Sequence, residues 1–241
     1  RELLDSLKCF SILKLLRIVR NVRSCIENKF DLPLLKSLSK QLNPLPSLFK
    51  ELDRCIDDEG EIKGNASPEL KQAFREVVAS KQKLESKIDK LLSGKTYEEA
   101  IQDSYHTERE GRLVIPVKSE KRSQVEGIVH DSSGSGQTLY IEPSSIIPLN
   151  NQLKISRLAV NREKKKVLQK LTKQVIDAGE ILSSSMTALV EFDFIHARAR
   201  LAKVMQARRC SIEPGCKLQL NKALNPELIL NGQDVIPNNI D

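Results

Sequence analysis

Residues 127–143 read GIVHDSSGSGQTLYIEP. Gly134 and Gly136 sit among serines between two apolar, β-branched runs. Such a loop either cradles a phosphate or turns a β-hairpin, and the choice separates a catalyst from a binding arm. A catalytic phosphate loop needs G-x-x-x-x-G-K-[ST], its lysine on the phosphates and a helix behind it. Here Gln137 and Thr138 follow Gly136, no lysine is near, and TLYIE alternates like a strand. The stretch predicts a hairpin tip.

The same period of two runs through 95–149. RLVIPVK puts Leu113, Ile115 and Val117 on one face, VEGIVHD alternates around Ile128 and Val129, and TLYIE sets Leu139 and Ile141 against Thr138 and Tyr140. With turns at SEKRSQ and SSGSGQ, this predicts an antiparallel meander, with Pro116 on an edge strand or a bulge.

Helical periods flank the insert. Arg1–Phe30 carries apolar residues at helical spacing, interleaved with Arg17, Arg20 and Arg23, and shorter helices follow at Pro33, Pro44 and Pro46. Ser67-Pro68-Glu69 opens a helix by capping, by a proline at its first position and by charge on the helix dipole. Leu70, Phe74, Val77, Leu84, Ile88 and Leu91 then form a heptad seam with Lys81 as its polar occupant, stopped at Gly94. Asn150 to about Arg209 has no proline and only Gly179, with Leu153, Val160, Val167, Leu171, Val175, Ala178, Leu182, Met186 and Leu189 in a second seam. Two matching seams predict an antiparallel pair. The fold class is mainly α with a small antiparallel β insert: a helical segment at 1–66, a helix at 67–94, the sheet at 95–149, a returning helix at 150–209, and a connection at 210–241.

The formal net charge is +7, and it is uneven. Residues 1–50 carry ten basic against four acidic side chains, and 154–213 thirteen against six, whereas 51–103 is net acidic. Basic segments suit a polyanionic partner; the bland alternative is a solvated helix face. The candidate contacts are Arg109, Arg112, Lys118, Lys121 and Arg122 on the sheet, Ser135 and Gly136 at its tip, and Lys154, Arg157, Arg162, Lys164, Lys165, Lys166, Lys170 and Lys173 on the returning helix, at its end nearest the sheet. Glu108, Glu110 and Glu120 dilute them. Such contacts position a duplex without reading bases.

Other chemistry is not spelled. His106, His130 and His196 lack metal spacing, and His130-Asp131-Ser132 cannot form a relay because neighbours on a strand face opposite ways. The acidic IDDEGEIKGNA reads as a link between helices and not as a metal site. Three tyrosines and six phenylalanines form no base-stacking platform. Cys9, Cys25, Cys55, Cys210 and Cys216 read as reduced helical thiols and point to a reducing compartment. No apolar run reaches membrane-spanning length. The first residues show neither an initiator Met nor a signal peptide, which suggests a piece of a longer chain.

A helix out, a small sheet and a helix back resembles the lever-and-clamp layout of the MutS family. RLVIPVK…GIVHDSSGSGQTLYIEPSSIIPLNNQL looks like the clamp of its second, mismatch-independent subfamily, found in bacteria and plastids. CIDDEGEIKGNASPEL resembles the run into the ascending lever, and LVEFDFIHARARLAKVM the segment that re-enters the core. Cysteine- and serine-bearing details lean toward a plant plastid member. The resemblance implies a homodimeric ATPase binding ATP and Mg in a domain beyond KLQLNKALNPELILNGQDVIPNNID, with a small nuclease (Smr) domain in many members. Asn225-Pro226 stands where the family has His-Pro, which departs from the family's nucleotide contact. The implied roles are binding of double-stranded or branched DNA with suppression of recombination, or gripping ribosomal RNA on collided ribosomes. A third reading is a structural coiled-coil dimerisation element. The segment itself is expected to have no catalytic residues, metal or cofactor.

Overall fold

The computed structural model describes residues 3–28, 32–210, 214–215 and 218–240. Phe30, the expected end of the first helix, and Cys216 lie outside them. The chain divides into two compact units, Arg1–Lys14 with Leu45–Asp177, and Leu15–Pro44 with Ala178–Asp241.

In chain order the elements are helices α1 (Ser6–Glu27), α2 (Pro33–Ser39), α3 (Pro46–Cys55) and α4 (Pro68–Leu92), then strands β1 (Thr107–Arg109), β2 (Arg112–Lys118), β3 (Gly127–Ser132) and β4 (Thr138–Pro143). Helices α5 (Ile147–Asp177) and α6 (Gly179–Val204), strand β5 (Leu220–Ala223), helix α7 (Pro226–Leu230) and strand β6 (Asn238–Ile240) follow.

In the first unit α4 starts as its residues dictate. Ser67 is extended and its hydroxyl accepts from the Leu70 N–H at 3.0 Å, with Pro68 at the first turn. Antiparallel to it runs α5. Leu84 and Ile88 meet Leu153 at one end, and the hydroxyls of Ser80 and Ser156 lie 3.2 Å apart further along. The seam is shifted from its expected line. Ala73 and Ser80 turn inward, Phe74 and Val77 are half-buried, and Lys81 is exposed and paired with Glu85 at 3.5 Å. A 3.6-residue helix drifts from a strict seven-residue repeat, so small residues take the inside where the two backbones come close.

The acidic link is a tight turn. Asp57 Oδ1 accepts from the N–H groups of Glu59 and Glu61 at 3.0 and 2.8 Å, and Ile56 bridges Ile62. The sheet has the order β1-β2-β4-β3, all antiparallel, which is not a meander: β2 pairs with β4, and β3 is the outer strand. The link SEKRSQ is a short 3₁₀ helix, Ser119–Gln124, that carries the chain past β4. Pro116 therefore lies in an inner strand. Its carbonyl accepts from Gln102 N–H at 3.0 Å, so its nitrogen faces the short 100–102 segment and no ladder bond to β4 is lost. Leu113 through Val117 are all buried, whereas Ile128 and Val129 on the outer strand are 50% and 42% exposed and do not alternate in burial. Leu113, Ile115, Val117, Val125 and Ile141 pack with Leu84, Ile88 and Leu153, which seats the sheet against the C-terminal part of α4 and the first turns of α5.

In the second unit Val19, Leu42 and Ala188 form a small core with Leu38 and Phe192 around it. Ser185, and not the expected Met186, is buried in α6 together with Leu182 and Ala188; its hydroxyl takes the Asn43 N–H at 3.0 Å, and Met186 is exposed. The returning helix is broken once, at Ala178 (φ −93, ψ 2), immediately before Gly179. Strands β5 and β6 pair antiparallel. Cys9, Cys25 and Cys55 are helical free thiols, but Cys210 lies past the end of α6.

Candidate nucleic-acid interface

The hairpin tip is built from main-chain and serine bonds. Ser133 N–H donates to Thr138 O at 2.8 Å, Gly136 N–H to Ser133 O at 2.8 Å, and Thr138 N–H to Ser133 Oγ at 3.1 Å. Gly136 takes φ +71, which a side chain resists. A strand follows the loop, so the residues present do not fit a nucleotide's phosphates. Ser135 and Gly136 are exposed there.

Behind the tip lies a polar cluster that sequence reasoning missed. Glu142 is buried completely, and its carboxylate accepts from Arg112 and from Asn150 Nδ2 at 2.9 Å, with His130 Nε2 2.7 Å away. Asn150 also closes both main-chain bonds of Leu113, at 3.0 Å each. Extending the β2–β4 register puts Leu113 opposite Pro143, which has no N–H to give, and the asparagine takes that place. A register shift at His130 turns it toward Glu142 while Asp131 pairs with Arg109 at 2.8 Å, so no relay forms. The only signal in the sequence was a glutamate and an asparagine inside otherwise apolar runs.

The expected cations divide into two groups. Many are engaged within the molecule. Arg109 also stacks on the Tyr140 ring at 4.3 Å. Arg112 donates to Asn151 at 2.6 Å, and Arg122 to the carbonyls of Val125 and Gly127 at 2.8 and 2.9 Å. Lys118 reaches Glu99 O at 3.1 Å, and Lys121 lies 3.9 Å from the Glu99 carboxylate. Arg157 holds Glu108 at 2.9 Å, and those hydrogen bonds keep the Glu108 carboxyl below its ordinary range and the arginine above its own. Lys166 pairs with Glu163 at 2.8 Å, Lys164 with Glu61 at 3.9 Å and Lys170 with Glu51 at 2.8 Å. Hydrogen bonds from Arg54 and Lys170 bring Glu51 down to about 2.

The second group points outward from α5. At 3.6 residues per turn, Arg162, Lys165 and Lys173 face away from the buried Leu153, Val160 and Val167, and Lys154 stands about a quarter turn from Leu153. Lys154, Lys165 and Lys173 are exposed and make no ion pair among the described residues; Arg162 has Glu163 at 3.6 Å. Contrary to expectation, the basic residues do not gather around the sheet. Arg157 touches it, whereas Lys164 and Lys170 meet the acidic turn and α3 at the other end of the helix pair.

Among the described residues no cluster of three or more His, Cys, Asp or Glu side chains could hold a metal, and no helix is long and apolar enough to cross a membrane. Asn225 caps α7, its side-chain oxygen accepting from Glu227 N–H at 2.9 Å.

No protein-family model matches the chain. It is similar to proteins named Endonuclease MutS2: 37% identical over 211 residues in Brevibacillus brevis, covering 88% of this chain and 27% of that protein. The likeness is 32% over 240 residues in a Geobacillus species, covering 100% of this chain and 30% of the relative, and 33% over 241 residues in Clostridioides difficile. The chain spans less than a third of the length of these relatives. Over that span it belongs to the MutS2 family.

Proposed function

We propose that this chain is the core, lever and clamp portion of a MutS2-type protein and that it embraces the backbone of branched or double-stranded DNA. In this reading α4 and α5 are the levers and the four-stranded sheet is the clamp. The observation that carries it is the set of exposed cations on α5 that make no ion pair among the described residues, Lys154, Lys165 and Lys173, on the helix to which Asn150 and Glu142 lock the sheet. Phosphate contact needs charges that are not already neutralised; these three lysines meet that condition, as do Lys118 and Arg122, whose partners are main-chain carbonyls. ATP, Mg and any nuclease chemistry belong in this proposal to parts of a homodimeric parent outside the chain, and recombination suppression would follow from retention on branched junctions.

Binding of the chain to a four-way DNA junction across a salt series tests the proposal. Each released phosphate counterion contributes roughly −0.9 to the log–log slope, so replacing the three lysines by Gln should make the slope shallower by about 2 to 3. A flat slope for the unmodified chain would count decisively against DNA contact. Competition by ribosomes that exceeds competition by DNA would move the target to ribosomal RNA.

A further inference from the structure

The net-acidic stretch 51–103 offered no site by composition, yet folding sorts its charges. Lys83, Lys87 and Lys90 lie on one face of α4, at spacings of four and three residues. All three are exposed, and none makes an ion pair among the described residues. They border a shallow groove of about 480 Å³ whose other walls are Ala79, Gln82, Ser86 and Leu149, with no carboxylate in the lining.

Of the acids of the same helix, Glu85 pairs with Lys81 at 3.5 Å on the far side, and Asp89 projects about a third of a turn off the lysine face. Glu76 lies two turns before Lys83 on the same face, where it accepts from Gln72 at 3.2 Å and lines the adjoining groove with Lys83. Helical rise spreads the three lysines over about 10 Å of helix axis, roughly three nucleotide steps of one strand at about 3.4 Å each. Gln82 and Ser86 add neutral donors between the charges.

We infer that the Lys83–Lys87–Lys90 face of α4 is a second phosphate-binding surface that takes one strand of duplex DNA, distinct from the outward row on α5. The inference rests on the proposed nucleic-acid role and adds a site that the charge pattern along the sequence conceals. Because the lysines make no ion pair among the described residues, a ligand phosphate would displace no such partner.

The test compares three forms of the chain on a labelled four-way DNA junction over a salt series. They are the unmodified chain, Lys83→Gln/Lys87→Gln/Lys90→Gln, and Lys154→Gln/Lys165→Gln/Lys173→Gln. Glutamine keeps the helix propensity, so melting temperatures should stay together. The α4 variant should lose about 2 to 3 from the slope, independently of the loss in the α5 variant. An α4 variant that keeps the unmodified slope while the α5 variant loses its own overturns the inference alone. No binding by the unmodified chain overturns both. Displacement of the junction by polyglutamate or duplex RNA at lower charge concentration than by DNA also overturns the assignment to DNA.

Discussion

Asn150, in the first turn of α5, holds Leu113 of β2 by both main-chain groups at 3.0 Å and holds the buried Glu142 of β4 at 2.9 Å. One amide side chain thus fastens two strands to a helix. Truncation to Ala leaves a buried N–H, a buried C=O and a buried carboxylate short of a partner. At about 1–3 kcal/mol for an unsatisfied buried group, Asn150→Ala should destabilise the first unit by about 2–4 kcal/mol, the groups not being additive. Denaturant unfolding followed by circular dichroism checks this. A change below half a kilocalorie would mean that water replaces the amide at no cost.

Gly127 is where β3 leaves β4. A Cβ there would stand 2.2 Å from Glu142 O and 2.9 Å from Pro143 Cα, both main-chain atoms of a strand that cannot retreat. Gly127→Ala should cost about 1–3 kcal/mol as overpacking and should loosen the hairpin. Faster amide hydrogen exchange in β3 and β4, with that of α6 unchanged, is the expected signature. Uniform exchange across the chain would contradict it.

Glu51 has its carboxyl lowered from 4.5 to about 2, first by hydrogen bonds from Arg54 and Lys170. A carboxylate with a depressed folded value contributes stability that is present above pH 4.5 and lost as pH falls through about 2. The melting temperature of the unmodified chain should therefore fall more steeply from pH 5 to 2 than that of Glu51→Gln. Parallel curves would show that the ion pairs contribute nothing to stability.

The sequence by itself determined the order helix, sheet, helix, because periods of 3.6 and 2 follow from backbone geometry and survive any packing. It also determined the cap at Ser67, the hairpin over Ser133–Gln137 and the failure of SSGSGQT as a phosphate loop, all of which are local. Tertiary structure decided the rest. Strand order is β1-β2-β4-β3, a nonlocal matter that the period of two within each strand does not encode. Three-residue β1 is too short and too charged for a period to register. Ser80 displaced Lys81 from the seam because close helix approach favours a small residue, and nothing in the seven-residue count encodes that distance. The candidate site followed the same division. Counting lysines located basic segments, but only the fold pairs Lys170 with Glu51 and Lys164 with Glu61 while leaving Lys83, Lys87, Lys90, Lys154 and Lys165 without ion pairs among the described residues. A charge is available to a partner only when its neighbours in space have not already neutralised it, and sequence order does not specify those neighbours.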